Sequence, residues 1–503
     1  MRRSSAPVLV KLAASETVNM SCHANVPVKV AAALALAVCF AGACSADTIV
    51  LKNGRRIVVS NVVREAGKVS GDTAAGRLSL PESMVARVEK DGAGQDTTTN
   101  LSAADLPIGP PPAGVSNNSD PAVRAVLHDG AIDREALAHL DSQAAGGNAE
   151  AVARAMAGES LASQFEFTRG DIEQALGHAE RALAFAPDQV TLLLNAAYLH
   201  LKRSEYSAAS ELLDHARRLA PDSADVAKLS GWADYGLNRV PQAVEEWKRA
   251  QQLQPDAEVA NALDRAERDA RVESNFEQGM SAHFVLRYDG SAAPDLARAV
   301  LGELENDFGS MVSLFGYTPA EPVAVILYTD RDFADITRAP AWVGAINDGR
   351  IRVSVQGVLT VTPALASDLR HELAHSFVSQ KTHGNCAIWL NEGIAQWAEG
   401  KRSSRDDAAM LVSLYDHSDD PSLGPLEKSW MALSADFVHV AYAWSLATVE
   451  GIAEAGSSAD LDRLLDALAA GSSTEAAVNS VLHLNYTDLN RSTAEYLRGA
   501  YLQ

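Results

Sequence analysis

Three prolines, Pro187, Pro221 and Pro255, stand at a fixed interval of 34 residues, and an aspartate follows each of them. The same interval relates Ala175, Ala209 and Ala243, then Ala182, Ala216 and Ala250, and it carries Ala197 onto Gly231. Such a chain is constrained to stack copies of one helix pair. The small residues sit where the two helices touch, and the proline, which has no amide hydrogen to donate, closes the second helix. One unit cannot bury its apolar face alone, so the copies pack in series. The pattern covers about residues 154–255 and is degenerate in its first copy, where Ser163 takes the position of Ala197 and Gly231.

A chain of 503 residues exceeds one ordinary core, so the flanks of the repeats belong to other domains. Upstream, DTIVLKNGRRIVVSNVV and GRLSLPESMVARVE alternate β-branched with polar residues and are punctuated by Asn53-Gly54 and Gly71, which predicts a small β module over 47–91. Residues 92–121 are rich in Gly, Pro, Ser, Thr and Asn and read as a linker, and the helical region containing the repeats occupies 122–270. From 275 the texture changes. HFVLRYDG, PVAVILYTD and GRIRVSV read as strands and PDLARAVLGELENDFGSMVSLFGY as an amphipathic helix, whereas 401–503 has helical spacing almost throughout. The expected fold class is multidomain: a small β N-terminal module, an α-helical solenoid, and an α+β domain over 275–503. That last domain divides into a strand and helix part (275–400) and a helical part (401–503).

Lys29 precedes VAAALALAVCFAGACSA, an apolar run too short to span a bilayer and suited to an export signal over 1–46. Ala41 and Ala43, or Cys44 and Ala46, offer cleavage sites, Met20 offers an alternative start, and Cys44 an alternative site of lipid attachment. The expectation is an exported protein, periplasmic or extracellular, with no transmembrane segment in its mature chain. Cleavage after Ala46 would leave Cys386 alone, so no intramolecular disulfide framework is expected. A net charge of −22 opposes nucleic-acid binding, which requires a cationic surface to replace counterions.

The chemistry is concentrated in HELAH, residues 371–375. Thr362-Pro363 predicts a helix start, threonine as cap and proline in the first turn, and the helix should run to about Gln380 and stop before Gly384. At about 100° per residue, Leu369, Leu373 and Phe377 share one stripe while His371 and His375 lie nearly opposite. Imidazoles four residues apart are separated by about 6 Å along the axis, close enough for both to reach one ion. Zinc then needs a third protein ligand and an open position for water, and Glu372 stands beside that position as a base. Seventeen residues after His375, Glu392 lies in the helix-like stretch WLNEGIAQWAEG, on one side with Gln396 and Glu399, and Gly393 and Ala395 permit close packing.

The 34-residue constellation resembles the tetratricopeptide repeat. HELAH followed by WLNEGIAQWAEG resembles the gluzincin zinc metallopeptidases, and FVLRYDG, PVAVILYTD and GAINDGRIRVSV bring it nearer their bacterial peptidase-MA-like group. The resemblance spans roughly 280–500. It implies His371, His375 and Glu392 as ligands of Zn2+, Glu372 as catalytic base, and Tyr442 as the donor to the oxyanion, with His439 next in line. It also implies that Arg350 to Val355 is the edge strand on which extended substrate would pair.

Two positions depart from the family pattern. Thermolysin-type members carry an acid four residues after the third ligand, where this chain has Gln396, which leaves Glu399 or a backbone group to orient a histidine. Aminopeptidase-type members carry Gly-Ala-Met-Glu-Asn where this chain has GAIND at 344–348, without the glutamate that holds a free amino terminus. The expected function is therefore a secreted or periplasmic zinc peptidase, leaning to endopeptidase, acting on peptide or protein substrates, with repeats for a protein partner. The alternative is a non-catalytic envelope binding or scaffold protein in which the repeats do the work and the peptidase fold is degenerate.

Overall fold

The computed structural model describes residues 46–51, 56–65, 68–73, 76–81, 85–89, 120–289, 294–337, 345–355, 357–417, 423–427, 430, 435–456 and 458–503. The export signal lies outside these residues except for Ala46, and the linker except for Asp120 and Pro121. Two compact units divide the chain, Met1–Gln95 and Asp96–Gln503.

In the first unit, β1 (Ala46–Leu51), β2 (Arg56–Glu65), β3 (Lys68–Thr73), β4 (Gly76–Pro81) and β5 (Val85–Glu89) form an antiparallel sheet ordered β4, β3, β2, β1, β5. Gly71, expected to punctuate the module, lies inside β3 opposite Leu78.

The second unit begins with α1 (Pro121–Arg124), the short strands β6 (Leu127–His128) and β7 (Ala131–Ile132), and α2 (Arg134–Ala144). Three helix pairs follow: α3 (Ala149–Thr168) with α4 (Ile172–Phe185), α5 (Val190–Lys202) with α6 (Tyr206–Leu219), and α7 (Ala224–Gly236) with α8 (Val240–Leu253). The recurrent alanines at 175, 182, 197, 209, 216, 243 and 250 are all buried, as small residues at helix contacts must be. Ser163 tolerates its place in the degenerate copy because its hydroxyl donates to the Ala175 carbonyl, 2.8 Å away. The turns within successive pairs each carry one residue in the left-handed region, at the same 34-residue spacing: Gly170, Ser204 and Asn238.

Helix α9 (Ala257–Val272) passes through a 3₁₀ turn, Glu273–Asn275, directly into a second sheet. There β8 (Phe276–Met280) and β9 (Phe284–Asp289) are followed by α10 (Pro294–Phe315), β10 (Val323–Tyr328), α11 (Asp330–Thr337), β11 (Ala345–Asn347) and β12 (Ile351–Ser354). The strand order is β11, β12, β10, β9, β8, with β9, β10 and β12 parallel and the two outer pairings antiparallel. All six residues of β10 are buried because both faces of the sheet are covered. Val323, Val325 and Leu327 enter the main core, and Ile326 and Tyr328 pack with Phe333 and Ile336 of α11.

This order corrects one expectation. Ile351–Ser354 is an inner strand, flanked by β10 and β11, and the edge on that side is the three-residue β11. Arg350 and Arg352 are correspondingly buried, at 2 % and 1 % exposure. Three residues are too few for strand alternation to register in a sequence, and the tight turn at Gly349 (φ 92°) folds them back onto β12.

The remaining helices are α12 (Pro363–Thr382), α13 (Ile388–Ala398), α14 (Arg405–Asp416), α15 (Ala435–Gly456), α16 (Ser458–Ala469), α17 (Thr474–Leu482) and α18 (Tyr486–Tyr501). Among the described residues, no helix is long and apolar enough to cross a membrane. The repeat array rests on this domain through the turns of its first and third pairs and the start of the second helix of its second pair. Gly170 meets Gly471, the Ser207 amide donates to Glu321 Oε1 (2.9 Å), and Asn238 Oδ1 accepts from Arg350 Nη2 (2.6 Å).

Candidate metal centre

Helix α12 starts as its sequence requires, with Thr362 Oγ1 accepting from the Leu365 amide (3.2 Å) and Pro363 at the first helical position. It ends where His383 turns left-handed (φ 53°) ahead of Gly384. Leu369, Leu373 and Phe377 are fully buried, which fixes the rotation of the helix and turns His371 and His375 toward α13. Near its end, Lys381 donates to the Phe315 carbonyl (2.7 Å) and pairs with Asp462 and Asp466, anchoring the helix to α16.

Helix α13 is seated by buried Trp389, Leu390, Ile394 and Ala395. Gly393 serves a contact the sequence did not reveal. It faces α15, not α12, and a Cβ there would stand 2.4 Å from the Ser445 carbonyl oxygen. That close approach brings in the helix that carries Tyr442.

Three atoms from α12 and α13 converge. The Nε2 atoms of His371 and His375 are 3.1 Å apart, and Glu392 Oε2 lies 3.7 Å from each. Ligand atoms about 2.0–2.1 Å from a tetrahedral zinc stand roughly 3.3 Å from one another, so the triangle has the right size for one such ion. The outer nitrogens are engaged: His371 Nδ1 donates to Glu399 Oε2 (2.8 Å) and His375 Nδ1 to Asn391 Oδ1 (2.9 Å). A proton fixed on each Nδ1 directs the Nε2 lone pairs at the shared point. Two nitrogens and a carboxylate oxygen are a donor set suited to zinc.

The electrostatics favour a cation there. Burial works against a charged His371, but the carboxylates of Glu392 and Glu399 outweigh it and push its pKa up to about 10. Burial prevails at His375, whose pKa is lowered despite Glu392. Burial also opposes ionisation of Glu399, yet His371 and Lys401, the latter 2.5 Å away, hold its carboxyl below the usual range. Glu372 is pushed up to about 8, first by burial and then by the charge of Glu392, with His371 opposing. The Tyr442 phenol is raised well above its ordinary value chiefly by the charge of Glu392, then by burial and by Glu372, so its hydroxyl lies in the field of both carboxylates. Its ring packs edge-on against Trp430, with centroids 5.0 Å apart. His439 points elsewhere, to Asp407 Oδ1 at 3.2 Å.

Residues 308–499 match the family model of the Peptidase MA superfamily. A Peptidase MA superfamily domain is thus found over the C-terminal part of the chain. Residues 166–233 match the tetratricopeptide repeat model, so the peptidase MA domain follows a repeat array in the same chain. Two solved structures resemble part of the chain, the NMR structures of the first and second TPR domains of human RPAP3, the second in complex with the HSP70 peptide SGPTIEEVD. They are 18 % and 21 % identical, each match covering 22 % of this chain and 90 % and 92 % of theirs, with TM-scores of 0.22 and 0.21. No curated protein matches the sequence.

Within the peptidase MA domain, the gap left by Gln396 is explained. Its amide donates to the carbonyls of Glu392 (3.2 Å) and Tyr442 (3.0 Å), tying α13 to α15, while Glu399 takes the histidine. Two residues at the site escaped sequence reasoning. Asn391 adjoins Glu392 and was visible only as its neighbour. Asn347, where aminopeptidase-type members carry glutamate, donates to the Glu372 carbonyl (2.8 Å) and to Ser376 Oγ (2.6 Å).

Proposed function

We propose that residues 275–503 form a zinc-dependent peptidase in an exported protein, and that His371, His375 and Glu392 hold the metal. The observation that carries this reading is the convergence of two Nε2 atoms and one carboxylate oxygen, with each imidazole oriented from behind. Bound zinc would supply Lewis acidity toward a scissile carbonyl and a lowered pKa for water. Glu372, buried beside the donors and ionised once a bound cation offsets the burial and the Glu392 charge that raise its pKa, accepts the proton of the attacking water and passes it to the leaving amine nitrogen. Tyr442 donates its hydroxyl hydrogen to the developing oxyanion, and a phenol held far from ionisation retains that hydrogen at every working pH. Asn347 supports an endopeptidase, because its side chain is spent on α12 and carries no charge for a substrate amino terminus. The repeats recruit a protein partner or the substrate itself.

Metal analysis of the purified protein, paired with digestion of a peptide library, tests the proposal. Glu372→Gln is expected to retain zinc and lose about 10²- to 10⁴-fold in kcat. A variant that cleaves at the wild-type rate would overturn the assignment. A wild-type chain that binds zinc and cleaves nothing would favour the scaffold alternative.

A further inference from the structure

We propose that α9, the helix that follows the repeat array, is a positioning element of the metal centre, acting through Asp269, Arg352 and Asn347. This rests on the peptidase reading for its catalytic consequence, though not for its structural one. Asp269, on α9, has no exposed surface. It accepts from Arg352 Nη1 and Nη2 (2.9 Å each), from Arg350 Nη1 (3.1 Å) and from the Tyr235 hydroxyl (2.8 Å). Arg352 Nε donates in turn to both carboxylate oxygens of Asp348, each 3.0 Å away. Asp348 is the next residue after Asn347, in the tight turn that joins β11 to β12.

Asn347 is what that turn presents to the site. Its amide nitrogen holds the Glu372 carbonyl and Ser376 Oγ, and its oxygen accepts from the Gly349 amide (3.0 Å). One turn is therefore gripped on one side by Arg352, which Asp269 of α9 holds in place, while on the other it grips the backbone of the proposed base. Every link is buried, with Arg352 at 1 % and Asn347 at 5 % exposure, so water does not readily replace a lost partner. An arginine deprived of one of its carboxylates in such a place shifts toward those that remain, here Asp348 and Glu273. Arg352 lies on β12, so its shift drags the turn and loosens Asn347 from α12. Asp269 touches no reacting atom and acts only by position.

The experiment uses the full chain with Asp269→Asn, Asn347→Ala and the double variant. Hydrogen exchange is followed across 345–354, 365–378 and 458–503, alongside zinc content, kcat and KM. Each single variant is expected to speed exchange over 365–378 by roughly three- to thirtyfold while 458–503 is unchanged. The double variant should exchange no faster than Asn347→Ala alone, since both substitutions cut one path. In the cleavage assay kcat should fall in parallel, with KM and zinc content within about twofold of wild type. Exchange that rises evenly over 275–503, or effects of the two substitutions that add, would mean a merely structural role and overturn the proposal. Should Asp269→Asn fail to fold, Tyr235→Phe removes one hydrogen bond to Asp269 and one acceptor from Arg352 and should give the same pattern, weaker. A wild-type chain that cleaves nothing would sink the peptidase reading, and the exchange pattern would still decide the coupling.

Discussion

Gly393→Ala sets two effects of known size against each other. In a helix interior alanine is favoured over glycine by about 1 kcal/mol. Here the new Cβ would stand 2.4 Å from the Ser445 carbonyl oxygen, 2.7 Å from Val449 Cγ2 and 2.8 Å from the Ser445 carbonyl carbon. Two of the three are backbone atoms of α15, which no rotamer change can move. Restoring ordinary contact takes a separation of the helices by about 1 Å, and overpacking of this kind costs about 1–3 kcal/mol. The net loss of stability is therefore modest, about 0–2 kcal/mol after the propensity gain. On the proposed peptidase reading, the larger consequence is catalytic. Tyr442 lies one turn before Ser445 on α15, so its hydroxyl moves with the helix, and a misplacement of about 1 Å can cost about 10²-fold in rate. Glu392 sits on α13 itself and keeps its place beside α12. The expected result is a melting temperature within a few degrees of wild type, unchanged zinc stoichiometry by atomic absorption, and a fall in kcat of about ten- to a hundredfold. In a Tyr442→Phe background the same substitution should cost little more, because the group it displaces is already gone. A Gly393→Ala enzyme with wild-type kcat would refute the claim that this contact places Tyr442.

Other outcomes follow from the same structure. Glu392→Gln should abolish stoichiometric zinc binding, read by metal analysis after dialysis, because a neutral amide cannot balance the cation beside two neutral imidazoles. Glu399→Gln should leave the ligand set complete but weaken zinc affinity about 10- to 100-fold in a chelator competition, since His371 loses the carboxylate that orients it. In the repeats, burial pushes Asp234 up to about 6, with Arg239 opposing, above its unfolded value of 3.8. The folded state thus disfavours its ionised form, a cost that is full above about pH 6 and gone below about pH 4. Mild acidification from pH 7.5 to 5.5 should accordingly raise the melting temperature of the repeat transition, and Asp234→Asn should flatten that rise.

Much of the fold was legible because it is local. The 34-residue interval, the threonine cap with its proline, and the stripe of Leu369, Leu373 and Phe377 are all properties of one element or of one repeated pair. The buried run of β10 and the helical spacing after 401 were legible for the same reason. The short β11 was missed, and its absence from the reading put Arg350 to Val355 wrongly at the sheet edge. The alternation in GRIRVSV marks a strand but is silent on which neighbours pair with it.

From the sequence alone came the residue types that meet at the centre and the helices that carry them, because periodicity dictates which side chains share a face. Tertiary structure decided what stands behind those side chains: Glu399 rather than a backbone group at His371, Asn391 at His375, and α9 behind the turn of Asn347. Contacts between elements distant in the chain depend on how whole helices and sheets bury their faces together, and no spacing within one segment encodes that.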